Sequence, residues 1–191
     1  MRPKHLFCIL SVLCAAATAL IVITPLFLIL SLSLQLVLLF LAMKVLHDSQ
    51  TDTLTGVSNL RKLKNLLHYY HHIRRLTVIY LDVNELKQLN DDHGHETGNQ
   101  ALREVATFML QVAGDAGQVY RVGGDEFILI SEDTDNQNLA RTWDSKIAQL
   151  RHVGISYGFA SGAGKDLESL VRTAEAKMYA MKRNNDAPES L

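Results

Sequence analysis

The stretch Arg121-Val122-Gly123-Gly124-Asp125-Glu126-Phe127-Ile128-Leu129-Ile130 sets two glycines and two carboxylates between apolar, β-branched runs. Gln118 to Val122 and Glu126 to Ile130 read as two strands, with Gly123-Gly124 as the turn of a hairpin. Gly, Asp and Glu are ordinary turn residues, so a hairpin with solvated acids accounts for the pattern. A phosphate and metal site accounts for it as well. The glycines would let the backbone approach a phosphate, and the acids would hold a divalent cation. The turn alone does not choose between the two.

The neighbouring segments bear on that choice. Leu76 to Val83, "LTVIYLDV", is rich in β-branched residues and predicts a buried strand that ends in Asp82. Laid beside the hairpin, this strand brings Asp82 to Asp125 and Glu126. Three carboxylates at one point repel unless a cation neutralises them. Hard oxygen donors with room for substrate phosphates point to Mg²⁺, and a solvated acidic rim is the alternative. The connection from Asn84 to Leu102 adds a Lys, an Asn and a His-Gly pair in one short segment. Helical spacing predicts a helix around Leu60, Leu63, Leu66 and Leu67, capped by Ser58. Further helices are predicted over Gly98 to Ala113, Leu139 to Leu150 and Leu167 to Lys182, and a strand over Val153 to Ala160. This order predicts an antiparallel-containing sheet with helices on one face, a ferredoxin-like α+β layer. Residues 185–191 read as a disordered tail.

From Leu6 to Met43 a run of 38 residues carries no Asp, Glu, Lys or Arg. As one helix it would be roughly 57 Å long, nearly twice a ~30 Å hydrocarbon core. Two spans of about 19 residues fit that core, with Thr24-Pro25 as the break. Arg2, Lys4 and Lys44 flank the run, which puts both ends on the cytoplasmic side of a multi-pass inner-membrane protein. The competing reading is a signal peptide cleaved near Ala15-Ala16-Ala17-Thr18-Ala19, which leaves a single span. The expected organisation is therefore a membrane anchor over residues 1–46, a soluble domain over 47–184 and the tail.

From Lys44 onward the chain has 17 Lys+Arg against 20 Asp+Glu, a charge of −3. Without a basic excess, nucleic acid is not an expected partner. Cys8 and Cys14 both lie in the apolar run, so the soluble part has no disulfide framework and no thiolate zinc site. The cluster "HYYHH", His68 to His72, falls at a helix end. There imidazoles are explained by the helix dipole, without a metal.

Four stretches together resemble a known family: "DTLTGVSN" (Asp52 to Asn59), "YLDVNELKQLNDDHGHETGN" (Tyr80 to Asn99), "RVGGDEF" and "AEAKMYAMK" (Ala174 to Lys182). Their order and spacing are similar to those of GGDEF-domain diguanylate cyclases over roughly residues 47 to 184. The family joins two GTP molecules into cyclic di-GMP and releases two pyrophosphates, acting as a homodimer. The resemblance implies Mg²⁺, or Mn²⁺ in its place, held by Asp82, Asp125 and the Val83 carbonyl. It implies Asp125 as acceptor of the 3′-hydroxyl proton, Glu126 as its acidic partner and Lys87 as the group facing the transferring phosphoryl. Asn90, His95 and Asn99 match the substrate-binding positions where guanine is read. Gly123, Gly124 and Lys182 match those that approach the phosphates.

Several positions depart from the family's pattern. Leu60 stands where Arg often follows "LTGLxN". Asn84 and Asn99 each replace an acid. Asp186 replaces an Arg that often touches phosphate. Gly114-Asp115-Ala116-Gly117 occupies the place of the product-binding "RxxD". The expectation is a membrane-anchored cyclase. The alternative is a non-catalytic, GTP-binding membrane protein that signals by oligomerisation.

Overall fold

The computed structural model describes residues 3–132, 136–150 and 152–186. It divides into two compact units, Met1–His47 and Asp48–Leu191. The first is built on helix α1 (Pro3–Asp48), 46 residues long with Pro25 inside it. The chain does not reverse at Thr24-Pro25, which corrects the expected helical hairpin. A single proline removes one intrahelical hydrogen bond. Reversal needs several residues off the helix, and Thr24-Pro25 is flanked only by Ile, Val, Leu and Phe. At about 1.5 Å per residue α1 is roughly 69 Å long. Among the described residues one segment, Phe27–His47, is long and apolar enough to cross a membrane. Its serines turn back on their own helix: Ser31 donates to the Leu28 carbonyl at 2.9 Å and Ser33 to that of Leu30 at 2.8 Å. Their hydroxyls are therefore satisfied without a second helix.

The second unit follows the order β1 (Ser58–Asn59), α2 (Leu60–His71), β2 (Leu76–Val83), α3 (Leu86–His93), α4 (His95–Ala113), β3 (Gly117–Arg121), β4 (Glu126–Ser131), α5 (Asn136–Lys146), β5 (Ile155–Gly162) and α6 (Leu167–Asp186). Short 3₁₀ turns lie after α4, α5 and β5. The sheet order is β1-β3-β4-β2-β5, antiparallel throughout except for the parallel β1–β3 pair. The predicted strand β2 has the bounds read from the sequence, and every one of its residues is buried.

That burial explains a second correction: helices cover both faces of the sheet. Strand side chains alternate between faces. Ile79, Leu81, Val83, Val119, Phe127 and Leu129 face one core with α4 and α5, built around Phe108, Met109 and Trp143. Val78, Tyr80, Tyr120, Ile128 and Ile130 face another with α2 and α6, built around Leu63, Tyr70 and Met178. A strand with no polar face cannot leave one side of its sheet to solvent.

Three local features differ from the expected elements. Asn59, not Ser58, caps α2, and its side-chain oxygen accepts from Lys62 N at 3.1 Å. The connection after β2 holds a helix of its own, α3, ended by Gly94 at φ 84. Helix α6 runs on to Asp186, so the expected tail is helical at residues 185 and 186, and its remainder lies outside the described residues.

Helix α6 lies close on β5 because position 158 is a glycine. A Cβ there would stand 2.2 Å from the Ala174 carbonyl oxygen and 2.7 Å from Met178 N. The close approach sets the line of α6 and carries its last turns over the end of β2.

Candidate functional site

The antiparallel register of β2 and β4 sets Asp82 directly opposite Glu126, and Val83 N donates to the Asp125 carbonyl at 3.0 Å. Directly opposed residues share a sheet face, so Asp82 and Glu126 both face the α6 side. From α6, Lys182 Nζ reaches Asp82 Oδ1 at 2.5 Å. Asp82 is 5% exposed and Lys182 is half-buried, so the ammonium meets a carboxylate largely withdrawn from water. Charge-assisted bonds of this kind are short and strong.

Glu126 feels its surroundings in the opposite way. Burial pushes its carboxyl above the ordinary value, and the negative charges of Asp125, Asp82 and Glu175 push the same way. A hydrogen bond from Tyr80 opposes the rise. Tyr80 is itself raised, first by burial and then by the Glu126 charge. The Glu126 carboxylate lies against Gly123, where a Cβ would meet Oε2 at 2.4 Å, whereas a Cβ on Gly124 would meet open space. Close approach therefore constrains Gly123, while Gly124 leaves room above the turn.

The turn is held from its other side by Arg121. Its Nε and Nη2 donate to the Gly124 carbonyl at 3.2 and 2.5 Å, and Nη1 reaches Asp52 Oδ1 at 3.0 Å. Asp52 in turn accepts from Thr55 N and Oγ1 at 2.9 and 2.6 Å. Burial alone would raise the Asp52 carboxyl, but the bonds from Thr55 and Arg121 hold it below its ordinary value.

The remaining sequence-predicted residues form a second group on the α3–α4 pair. Lys87 is exposed on α3, and His95 is exposed at the start of α4. Asn90 turns its Oδ1 toward Gly98, where a Cβ would stand 2.0 Å away, and that oxygen is buried without a hydrogen-bond partner. Asn99 Nδ2 donates to Glu96 Oε2 at 3.4 Å, and Glu96 also pairs with Arg103 at 2.7 Å. Asn84, where the family has an acid, accepts from Ser156 Oγ at 2.9 Å. The side chain of Asp186 lies outside the described residues.

Sequence reasoning missed Tyr80, Arg121 and Asp52 as parts of this site. Tyr80 was within reach, since it lies two residues before Asp82 and so on the same face of the strand. No local signal links Asp52 to Arg121, which are 69 residues apart.

For a divalent cation the donor set is suitable: the Asp82 carboxylate and Val83 carbonyl at the end of β2 and the Asp125 carboxylate in the β3–β4 turn are hard oxygens. Among the described residues no three or more His, Cys, Asp or Glu side chains are gathered into a ready metal cluster. A cation here would therefore keep positions open for phosphate oxygens or water.

The class follows from a five-stranded sheet with paired acids at a glycine turn taken together with the family match. Residues 49–187 match the family "Diguanylate cyclase, GGDEF domain", and the chain belongs to it. Among curated relatives it is 29% identical over 149 residues to the cyclic di-GMP phosphodiesterase PdeR of Escherichia coli K12, covering 70% of this chain and 22% of that protein. It is 29% identical over 155 residues to the diguanylate cyclase DosC of the same organism, covering 72% and 34%. The chain thus spans about a fifth and about a third of the length of these two relatives. Among solved structures, the coiled coil and GGDEF domain of DgcB from Caulobacter crescentus, in complex with c-di-GMP, matches with TM-score 0.73 and 25% identity over 81% of this chain and 91% of that one.

Proposed function

We propose that the chain is a membrane-attached diguanylate cyclase that condenses two GTP into cyclic di-GMP and two pyrophosphates as a homodimer. The observation that carries this reading is the register that sets Asp82 opposite Glu126 and bonds Val83 to Asp125. Mg²⁺ or Mn²⁺ bound by Asp82, Asp125 and the Val83 carbonyl would supply positive charge next to the attacking oxygen and the phosphates. Asp125 takes the proton of one GTP's 3′-hydroxyl as that oxygen attacks the α-phosphorus of the other GTP. The bond from that phosphorus to pyrophosphate breaks, and the same exchange in the opposite direction closes the ring. Lys87 offsets negative charge on the transferring phosphoryl group, and most of the remaining work is positioning. Lys182, together with the backbone at Gly123 and Gly124, meets the phosphates. Asn90, His95 and Asn99 read the guanine.

Each domain supplies one half-site, so two chains must face each other. The apolar segment Phe27–His47 is the proposed membrane attachment, with the catalytic unit on the cytoplasmic side of the inner membrane. Confinement there raises the effective concentration of one half-site near the other. The test is incubation of the purified chain with GTP and Mg²⁺, with product identification by mass spectrometry. Cyclic di-GMP and pyrophosphate are expected, together with loss of turnover in Asp125→Ala. The Lys182–Asp82 pair, which satisfies Asp82 without a cation, favours the second reading of a non-catalytic GTP-binding domain. GTP binding with no pyrophosphate release would establish that reading.

A further inference from the structure

Outside the acidic turn, the helix-end cluster His68 to His72 contains one arrangement that the helix dipole does not explain. His68 lies in the last turn of α2 and His72, four residues on, is its C-cap, and both are exposed. Their rings converge with Nε2 atoms 3.4 Å apart and planes at 86°. At this distance one ring can donate a long hydrogen bond to the other, the roles set by the tautomers, so without a metal the pair is held only weakly. Two imidazoles bound to one tetrahedral metal at about 2.0–2.1 Å place their nitrogens about 3.3–3.4 Å apart. Right-angle ligands at the same bond length would stand about 2.8–3.0 Å apart, so the spacing fits the tetrahedral case better than the square one.

We propose that His68 and His72 form a bidentate site for a borderline divalent transition metal, Zn²⁺ by geometry. The carbonyl end of α2 adds negative potential at that point, which favours a cation. Arg74 and Arg75 follow closely and oppose it, which keeps the affinity modest. With two protein ligands, two tetrahedral positions remain for water. Imidazole ligands disfavour Mg²⁺, which takes oxygen donors, so this site and the acidic turn select different ions.

The test uses the full chain in detergent micelles, stripped with chelator and titrated with Zn²⁺ against a chromophoric indicator. His68→Gln and His72→Gln are each expected to weaken the site about tenfold or more, since the second imidazole no longer acts at high effective concentration. His71→Gln is expected to leave it unchanged, and a large excess of Mg²⁺ is expected not to displace the metal. The imidazole ¹⁵N resonances of His68 and His72 in the parent chain give a readout independent of any variant, and both are expected to shift with Zn²⁺. Undiminished Zn²⁺ binding in His68→Gln or His72→Gln, equal loss in His71→Gln, or unmoved imidazole resonances would each overturn the proposal.

Discussion

Replacing Lys182 with Met isolates the ion pair beneath the acidic turn. Methionine keeps most of the length and the flexibility of the side chain and removes its charge together with its donors. In the parent chain the Lys182 ammonium lies 2.5 Å from Asp82, whose side chain is 8% exposed. Deleting one partner of a fully buried pair costs about 3–5 kcal/mol, because the other charge is left uncompensated. Lys182 keeps 29% of its side chain exposed, and solvent screening brings the expected cost to roughly 1–3 kcal/mol. For a unit of about 150 residues, that lowers the unfolding midpoint by roughly 2–12 °C. The assay is Trp emission during heating in metal-free buffer. Trp143 is the chain's one tryptophan, 1% exposed in the core of the second unit, so its signal reports that unit alone. Mg²⁺ is expected to narrow the difference, since a cation on Asp82 replaces the lost ammonium. In an Asp82→Asn background the Lys182→Met cost is expected to fall, and a double-mutant cycle reads the share carried by the pair. A Lys182→Met chain as stable as the parent without metal, or one equally destabilised in the Asp82→Asn background, would refute the reasoning.

Tyr80→Phe removes the hydrogen bond that opposes the rise of Glu126, so the Glu126 carboxyl moves further up in a ¹³C titration. Because that carboxyl is already raised on folding, its contribution to stability is largest in acid and declines as pH rises through its folded value. The Asp52 carboxyl is lowered on folding, so its contribution has the opposite sign: present above the ordinary aspartate range and lost as pH falls below it. Asp52→Asn is therefore expected to be less stable than the parent at pH 7 and to lose less on acidification, measured by Trp143 emission. Asn99 has its Nδ2 turned to Glu96, so in the proposed guanine contact its Oδ1 would be the accepting atom. Asn99→Asp sets two carboxylates side by side, and GTP competition against ATP, with analysis for mixed cyclic dinucleotides, is expected to show a changed preference.

The parts of this fold carried by short-range periodicity were legible in the sequence. β2 is a dense β-branched run, the hairpin surrounds an unmistakable turn, and α4 has a regular apolar stripe, so each was readable. α3 was not, because none of its residues is buried and it has no stripe to read. β1 has two residues and exists only through its parallel pairing with β3, which local sequence does not encode. The helices on the second face were hidden for a related reason. A strand buried on both sides shows that two layers cover it, but not which helices form each. In the site, the pairing of Asp82 with Glu126 followed once β2 was placed beside the hairpin, whereas Asp82, Asp125 and Glu126 are not gathered into one ready cluster among the described residues. The bonds of Lys182 and Arg121, which span 100 and 69 residues, depend on the tertiary path of α6 and of the Asp52 loop.

These two cations do different electrostatic work at the turn. Arg121 divides its donors between the Gly124 carbonyl and Asp52, so its charge is balanced outside the site and it acts as a brace. Lys182 alone faces inward. Asp82, Asp125 and Glu126 carry three negative charges when ionised, and one ammonium leaves two of them unbalanced. Burial is the main cause of the raised Glu126 carboxyl, and that excess of negative charge adds to it. A monovalent ion would leave it partly uncorrected, whereas one divalent cation balances it. Binding such an ion is therefore expected to draw the Glu126 carboxyl back down, a change visible in the same ¹³C titration with and without Mg²⁺. Glu126 unmoved by saturating Mg²⁺ would place the cation away from these acids. The charge count thus connects the register of two strands to the valence of the ion proposed to bind there.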